Sequence, residues 1–324
     1  MATRSLITGG TGFIGKAVAH ELASLDAEVV IFDRSFNPVP NTIHRVGTIL
    51  NQHDLVAASQ DVDEIFHLAG VLGTTELLDQ AELAIDANVK GTLNALEAAR
   101  ICGVSKFFYP SKPNEWLNMY SISKAAGEEI CRLYAKRHSL DVKILRWLNA
   151  YGPGQKLYPI RKAVPLFILQ ALTHLPIEIW GDGTQRVDLI HVNDLAYITV
   201  AFTRSDSGGV KTFDTGLCHS VTVRALAELI IQLSGSRSRI NFLPMRPGED
   251  PEIQIPLLPT ATNELKAERS SIPLQQGLLE TIEYYRALPQ RDKERALRFY
   301  YGASKDGDAS VTIAGKELMQ RARL

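Results

Sequence analysis

Thr8-Gly9-Gly10-Thr11-Gly12-Phe13-Ile14-Gly15 stands between a short apolar run, Ser5-Leu6-Ile7-Thr8, and a helix-forming stretch from position 16 to about 25. Beyond that stretch, Glu28-Val29-Val30-Ile31-Phe32 reads as a second strand and ends at Asp33. Strand, glycine turn, helix, strand and terminal acid make a βαβ unit. Glycines let the backbone turn tightly and approach a pyrophosphate, whose charge faces the helix N-terminus. Asp33 can accept hydrogen bonds from ribose hydroxyls, and its charge opposes a 2′-phosphate, which favours NAD. Arg34 beside it is placed to grip such a phosphate, so NADP stays open.

The strand–helix alternation continues. Helix is predicted over 52–60, and Glu64-Ile65-Phe66-His67-Leu68-Ala69-Gly70 reads as a buried parallel strand closed by small residues. A long helix is predicted over 83–100. A strand follows at 106–109, then a loop, Pro110-Ser111-Lys112-Pro113-Asn114, a helix over 119–137 and a strand over 142–146. This pattern predicts α/β architecture with a doubly wound, Rossmann-type parallel sheet over residues 1–150. After Tyr151 the elements shorten and prolines increase. Residues 151–187 and 217–290 read as a smaller α+β lobe, with 188–216 returning to the first domain. Residues 291–324 read as a weakly packed tail.

Composition narrows the function classes. The 324 residues are 45% hydrophobic and 22% charged, as in an ordinary globular protein. A net charge of -1 and the absence of a basic block argue against nucleic acid. No apolar run approaches the roughly 20 residues of a membrane span. Met1-Ala2-Thr3-Arg4 leads straight into the first strand, so no signal peptide is predicted. Cys102, Cys131 and Cys218 lack metal-ligand or disulfide spacing. A reducing, cytoplasmic setting without a metal is the expectation.

The candidate chemistry lies in Tyr120-Ser121-Ile122-Ser123-Lys124. Four residues make about one helical turn, so Tyr120 and Lys124 share a face. An ammonium held beside a phenol lowers the phenol pKa and makes it a usable base. Such a base takes a proton from an alcohol while another group takes the hydride. His67 reads as a strand residue against the core.

Together these motifs resemble the extended short-chain dehydrogenase/reductases, in their nucleotide-sugar epimerase and dehydratase branch. The resemblance rests on the glycine stretch, His67-Leu68-Ala69-Gly70, Asn88-Val89-Lys90-Gly91-Thr92, Tyr120-x-x-x-Lys124 and Arg146-x-x-Asn149-x-Tyr151-Gly152-Pro153-Gly154. Gly181-Asp182-Gly183 and Arg246-Pro247-Gly248-Glu249 complete the series. It implies that Gly9, Gly12, Phe13, Ile14 and Asp33, in the turn closed by Gly15, hold the ADP half of NAD. Leu68, Ala69 and Gly70 then line its middle, and Asn88 supports that backbone. Tyr120 is the implied base, and Lys124 binds the nicotinamide ribose. Asn149 and Arg246 are the implied contacts to a nucleotide-diphospho-sugar, and a homodimer through the helices near 83–100 and 119–137 is expected. On the second of these, Ala126, Ile130, Leu133 and Tyr134 recur at helical spacing.

The departures matter as much. The family's Ser/Thr that bonds the reacting sugar oxygen falls on Lys112, with Ser111 one residue early. Either can replace it, and Ser111 is the slightly preferred candidate. The dehydratase acid pair reads Pro113 and Asn114. Arg186 sits one step early for a phosphate contact, and on a strand one step reverses the face. The resemblance therefore implies an NAD-dependent nucleotide-sugar epimerase working through a keto intermediate. A 4,6-dehydratase or reductase is the alternative. From another class comes a non-catalytic nucleotide-binding protein on the same fold.

Overall fold

The computed structural model describes residues 2–113, 116–205, 208–216, 219–249, 260–265 and 271–302. The chain runs β1 (Arg4–Thr8), α1 (Phe13–Ala23), β2 (Glu28–Asp33), β3 (Ile43–Val46), α2 (Gln52–Ala58) and β4 (Glu64–His67). Then come α3 (Ala81–Ile85), a π-helical turn (Asp86–Lys90), α4 (Gly91–Cys102), β5 (Lys106–Ser111), α5 (Met119–His138), β6 (Asp141–Arg146) and β7 (Asn149–Tyr151). It continues with α6 (Ala163–Leu172), β8 (Ile177–Trp180), β9 (Arg186–His191), α7 (Val192–Arg204), β10 (Lys211–Asp214) and β11 (His219–Thr222). The last elements are α8 (Val223–Ser234), β12 (Ile240–Leu243), α9 (Ala261–Leu265), α10 (Leu274–Ala287) and α11 (Gln290–Tyr301).

Seven strands form one sheet in the order β10-β6-β5-β4-β1-β2-β3, and every pairing within it is parallel. Its strands are apolar on both faces because both faces are covered. Leu6, Val30, Ile65, Phe107 and Ile144 join one core, with α2, α4 and α5. Their neighbours Ile7, Ile31, Phe66, Phe108 and Leu145 join the opposite core, with α1 and α7. This period of two, apolar at both phases, makes the sheet Rossmann-like and doubly wound. The strand order reverses between β1 and β4, where Thr8 lies opposite His67. In such sheets that switch point is where ligands bind.

The chain divides into two compact units. The first comprises Met1–Ala150, Gln185–Val221 and Met245–Leu274, and the second Tyr151–Thr184, Thr222–Pro244 and Gln275–Leu324. Within the stretch that the sequence assigned to the lobe, the described residues 219–221, 245–249, 260–265 and 271–274 group with the first unit. In the second unit β8 pairs with β12 in parallel, beside α6 and α8.

Several elements differ from the sequence reading. The helix expected over 83–100 begins at Ala81 and is broken by the π turn. β3, an edge strand, was not expected. The segment after position 290 is not a loose tail as far as Tyr301. α11 buries Ala296 and Tyr300, and the Tyr300 hydroxyl donates to the Leu157 carbonyl at 2.5 Å. The Gly- and Asp-rich run after Gly302 lies outside the described residues, as does Cys218.

Candidate active site

The glycine turn and the ends of β2 and β4 meet at the switch point. Gly12 caps α1 in extended conformation and offers no side chain to the helix's first N–H groups. A Cβ on Gly9, whose φ is +71°, would come within 2.9 Å of the Ala69 backbone. The Asp33 carboxylate faces this turn. One oxygen accepts from the Thr11 hydroxyl at 2.6 Å and the Thr11 N–H at 3.2 Å, and the other from the Arg34 N–H at 2.7 Å. Three of about four acceptor positions are used, leaving capacity for a ribose hydroxyl. Bare backbone at a helix start, with an acid beside it, fits the pyrophosphate and ribose of NAD. Phe13 is half-buried, Ile14 and Leu68 pack on the core below, and the Arg34 residue is exposed.

A buried polar chain fixes the floor of this site. Asn88 accepts from Val71 N–H at 2.9 Å, donates to Val71 C=O at 3.0 Å, and reaches the Ser123 hydroxyl at 3.0 Å. It holds the segment after Gly70 and touches the helix of Tyr120. Thr92 donates to the Asn88 carbonyl at 2.7 Å, so the 3.2 Å contact from His67 Nε2 must donate to Thr92. His67 Nδ1 then accepts from Thr8 at 2.9 Å, and Thr8 accepts from Ala69 N–H at 3.2 Å. Burial, with Lys124 nearby, pulls the His67 pKa down to about 3. This neutral imidazole is a structural link, as the sequence suggested.

Tyr120 lies in the first turn of α5. Asn118 caps that helix, its Oδ1 accepting from Ser121 N–H at 2.9 Å. Tyr120 and Lys124 lie one turn apart on α5. The Lys124 ammonium lies over the Tyr109 ring, 3.9 Å from its centroid. Burial lowers the Lys124 pKa to about 7 and raises that of Tyr120 to about 12. The cation over the Tyr120 ring is Lys112, at 5.3 Å, which also lies 5.4 Å from the Trp116 ring. Its Nζ donates to the Ser121 hydroxyl at 2.7 Å. Ser111 ends β5 and is 5% exposed, and its carbonyl accepts from Trp147 N–H.

The other candidates divide. Arg246 belongs to a turn that reaches the Tyr120 helix, because Asn118 Nδ2 donates to Gly248 C=O at 3.1 Å. Arg186 is held elsewhere, donating to the Ser220 hydroxyl at 2.9 Å and carbonyl at 2.7 Å. It serves here as a cross-strand tie of β9 to β11. Asn149 donates to Asp188 C=O at 3.3 Å, a tie of β7 to β9. The sequence reading missed Thr11, Asn118 and Ser121. The first two carried signals, a hydroxyl inside the glycine turn and an Asn at a helix start. Among the described residues no metal-ligating cluster occurs, and no helix is long and apolar enough to cross a membrane.

Known proteins place this geometry. UDP-N-acetyl-alpha-D-glucosaminuronate decarboxylase of Bacillus cytotoxicus is 28% identical over 330 residues, covering 89% of this chain and 99% of that protein. The UDP-glucose 4-epimerase of Thermotoga maritima, solved with UDP-glucose, matches with a TM-score of 0.80 at 25% identity, over 88% of this chain and 99% of that one. MoeE5, solved with UDP-glucuronic acid and NAD, matches with a TM-score of 0.77 at 27% identity, over 87% and 99%. The family's members are NAD-dependent nucleotide-sugar epimerases, decarboxylases and reductases. A profile of one family matches residues 5–214, across the glycine turn, the polar floor and Tyr120-x-x-x-Lys124, and the chain belongs to the NAD dependent epimerase/dehydratase family.

Proposed function

We propose that the protein is an NAD-dependent nucleotide-sugar epimerase that oxidises a hydroxyl-bearing sugar carbon to a ketone and reduces it again on the other face. The observation that carries this reading is Tyr120 in the first turn of α5 with the Lys112 ammonium 5.3 Å from its ring centroid. Tyr120 exchanges a proton with the sugar oxygen. Lys112 stabilises negative charge developing on that oxygen, replacing the family's Ser/Thr. Ser111 beside it is the second candidate for that contact. NAD held there would supply the acceptor and donor of the hydride. The turn from Gly9 to Gly15, with Asp33, holds its ADP half, Leu68 to Gly70 line its middle, and Lys124 takes the nicotinamide ribose. Arg246 pairs with the substrate diphosphate, its fork suited to phosphate oxygens, and Asn149 faces the sugar. The dehydratase pair is absent at Pro113 and Asn114, which favours epimerisation over loss of water. The working form is a homodimer.

The test is a panel of UDP-, dTDP-, GDP- and CDP-sugars, uronic acids included, incubated with protein and NAD and read by mass and NMR. Unchanged mass with an altered sugar proton pattern is expected. Loss of one water, or of carbon dioxide from a uronic acid, assigns a dehydratase or a decarboxylase instead. NAD binding without turnover of any member replaces the enzyme with a binding protein.

A further inference from the structure

Asn118 is 4% exposed and uses both ends of its amide. Oδ1 caps α5 through Ser121 N–H at 2.9 Å, and Nδ2 donates to Gly248 C=O at 3.1 Å. Asn118 and Gly248 are 130 residues apart in sequence. Gly248 lies in the turn of Arg246, whose guanidinium is paired with Glu249. The Arg246 Nε is buried and meets no hydrogen-bond partner among the described residues. Ser, Thr or Asp would cap a helix as well as Asn does. Among these caps only the amide carries its acceptor and its donor on separate atoms, so that Asn118 accepts from the helix and donates to a second segment at once.

We propose that Asn118 is a positioning residue that transmits the seating of the substrate diphosphate on Arg246 to the alignment of Tyr120. This rests on the reading of the substrate as a nucleotide-diphospho-sugar. A diphosphate drawn to Arg246 shifts the short turn that carries it, and the Gly248 carbonyl moves with that turn. The carbonyl is tied through one buried amide to the N-cap of a 20-residue helix. Tyr120, two residues on, moves with its helix. Binding energy from the part of the substrate that does not react is thereby used to orient the part that does.

Asn118→Ser keeps the cap and is too short to reach Gly248. Asn118→Asp keeps cap and shape and exchanges the donor for an acceptor. Each is made alone and with Arg246→Ala, and melting temperature, NAD affinity, kcat and KM are measured on the sugar nucleotide that the parent converts. Asn118→Ser is expected to melt near the parent and bind NAD equally, with kcat down about three- to tenfold. Arg246→Ala alone should lower kcat and raise KM. In the Asn118→Ser background it should raise KM only, so the two effects on kcat are non-additive. Unchanged kcat, or additive effects, in a parent that turns over sugar nucleotides removes the coupling and leaves the functional reading standing. Loss of kcat in step with melting temperature in both variants makes Asn118 a cap alone. A parent that binds no nucleoside diphosphate and converts no sugar nucleotide overturns the functional reading and this proposal with it.

Discussion

At the scale of single residues, the site is a question of which cation meets which phenol. Lys124 is 9% exposed and lies over Tyr109, while Lys112 lies over Tyr120. Tyr120→Phe is expected to abolish turnover and leave NAD binding near parent affinity by titration. A donor aimed at developing charge contributes about 10²–10³ in rate. Lys112→Ala should lose turnover on that scale, and Ser111→Ala far less; the reverse order in kcat would transfer the role to Ser111. Lys124 also sets a pH dependence. Its folded pKa is depressed from 10.5 to about 7 by burial, so between these values the unfolded chain binds the extra proton. Stability of the NAD-free protein from this group therefore rises with pH from about 7 towards 10.5. Melting curves from pH 7 to 9 should show that rise, and Lys124→Met should flatten it. An identical slope in the variant would show that the ammonium is not buried as described. The Tyr120-x-x-x-Lys124 spacing was legible in sequence because it is local. The placing of Lys124 over Tyr109 and of Lys112 over Tyr120 was not, since Tyr109 is set by β5 and Lys112 by the loop after it.

At the scale of elements, apolar strands of the parallel sheet could be read directly, because both of their faces are buried. Ile43-His44-Arg45-Val46 escaped notice because β3 lies at the sheet edge and two of its four residues are polar. α11 escaped for a related reason: its charged residues, from Arg291 to Arg298, read as solvated chain, and its buried anchors are few. Tyr300 is 4% exposed, and the Arg161 guanidinium lies 4.9 Å from its ring centroid. Tyr300→Ala is expected to cost about 3–5 kcal/mol, measured by denaturant unfolding of the second unit, with NAD affinity retained. A loss below about 1 kcal/mol would mean that α11 is not a docked element. The apolar recurrence on α5 is split by the structure. Tyr134 is buried and its hydroxyl bonds Glu97 of α4, and Ile130 packs on the core. Leu133 remains exposed, and Ile122 joins it there.

At the scale of the whole molecule, those exposed residues bear on assembly. Ile122 and Leu133 of α5 and Leu93 and Ile101 of α4 are exposed, and they are the residues that the expected dimer through these helices would cover. A dimer by light scattering at micromolar concentration is expected, and Ile122→Glu with Leu133→Glu should shift it to monomer. A monomeric parent would end the dimer reading. The order of segments along the chain has a different consequence, one of timing. The first unit is assembled from three separated stretches, and the last, Met245–Leu274, brings Arg246 and Gly248. During synthesis the glycine turn and Tyr120 emerge well before that stretch does. Until then Asn118 can cap its helix but has no carbonyl to bind. A nascent chain halted at Pro244 would therefore carry the glycine turn and Tyr120-x-x-x-Lys124 without Arg246 and Gly248, the residues through which the proposed diphosphate contact and its link to Asn118 would act.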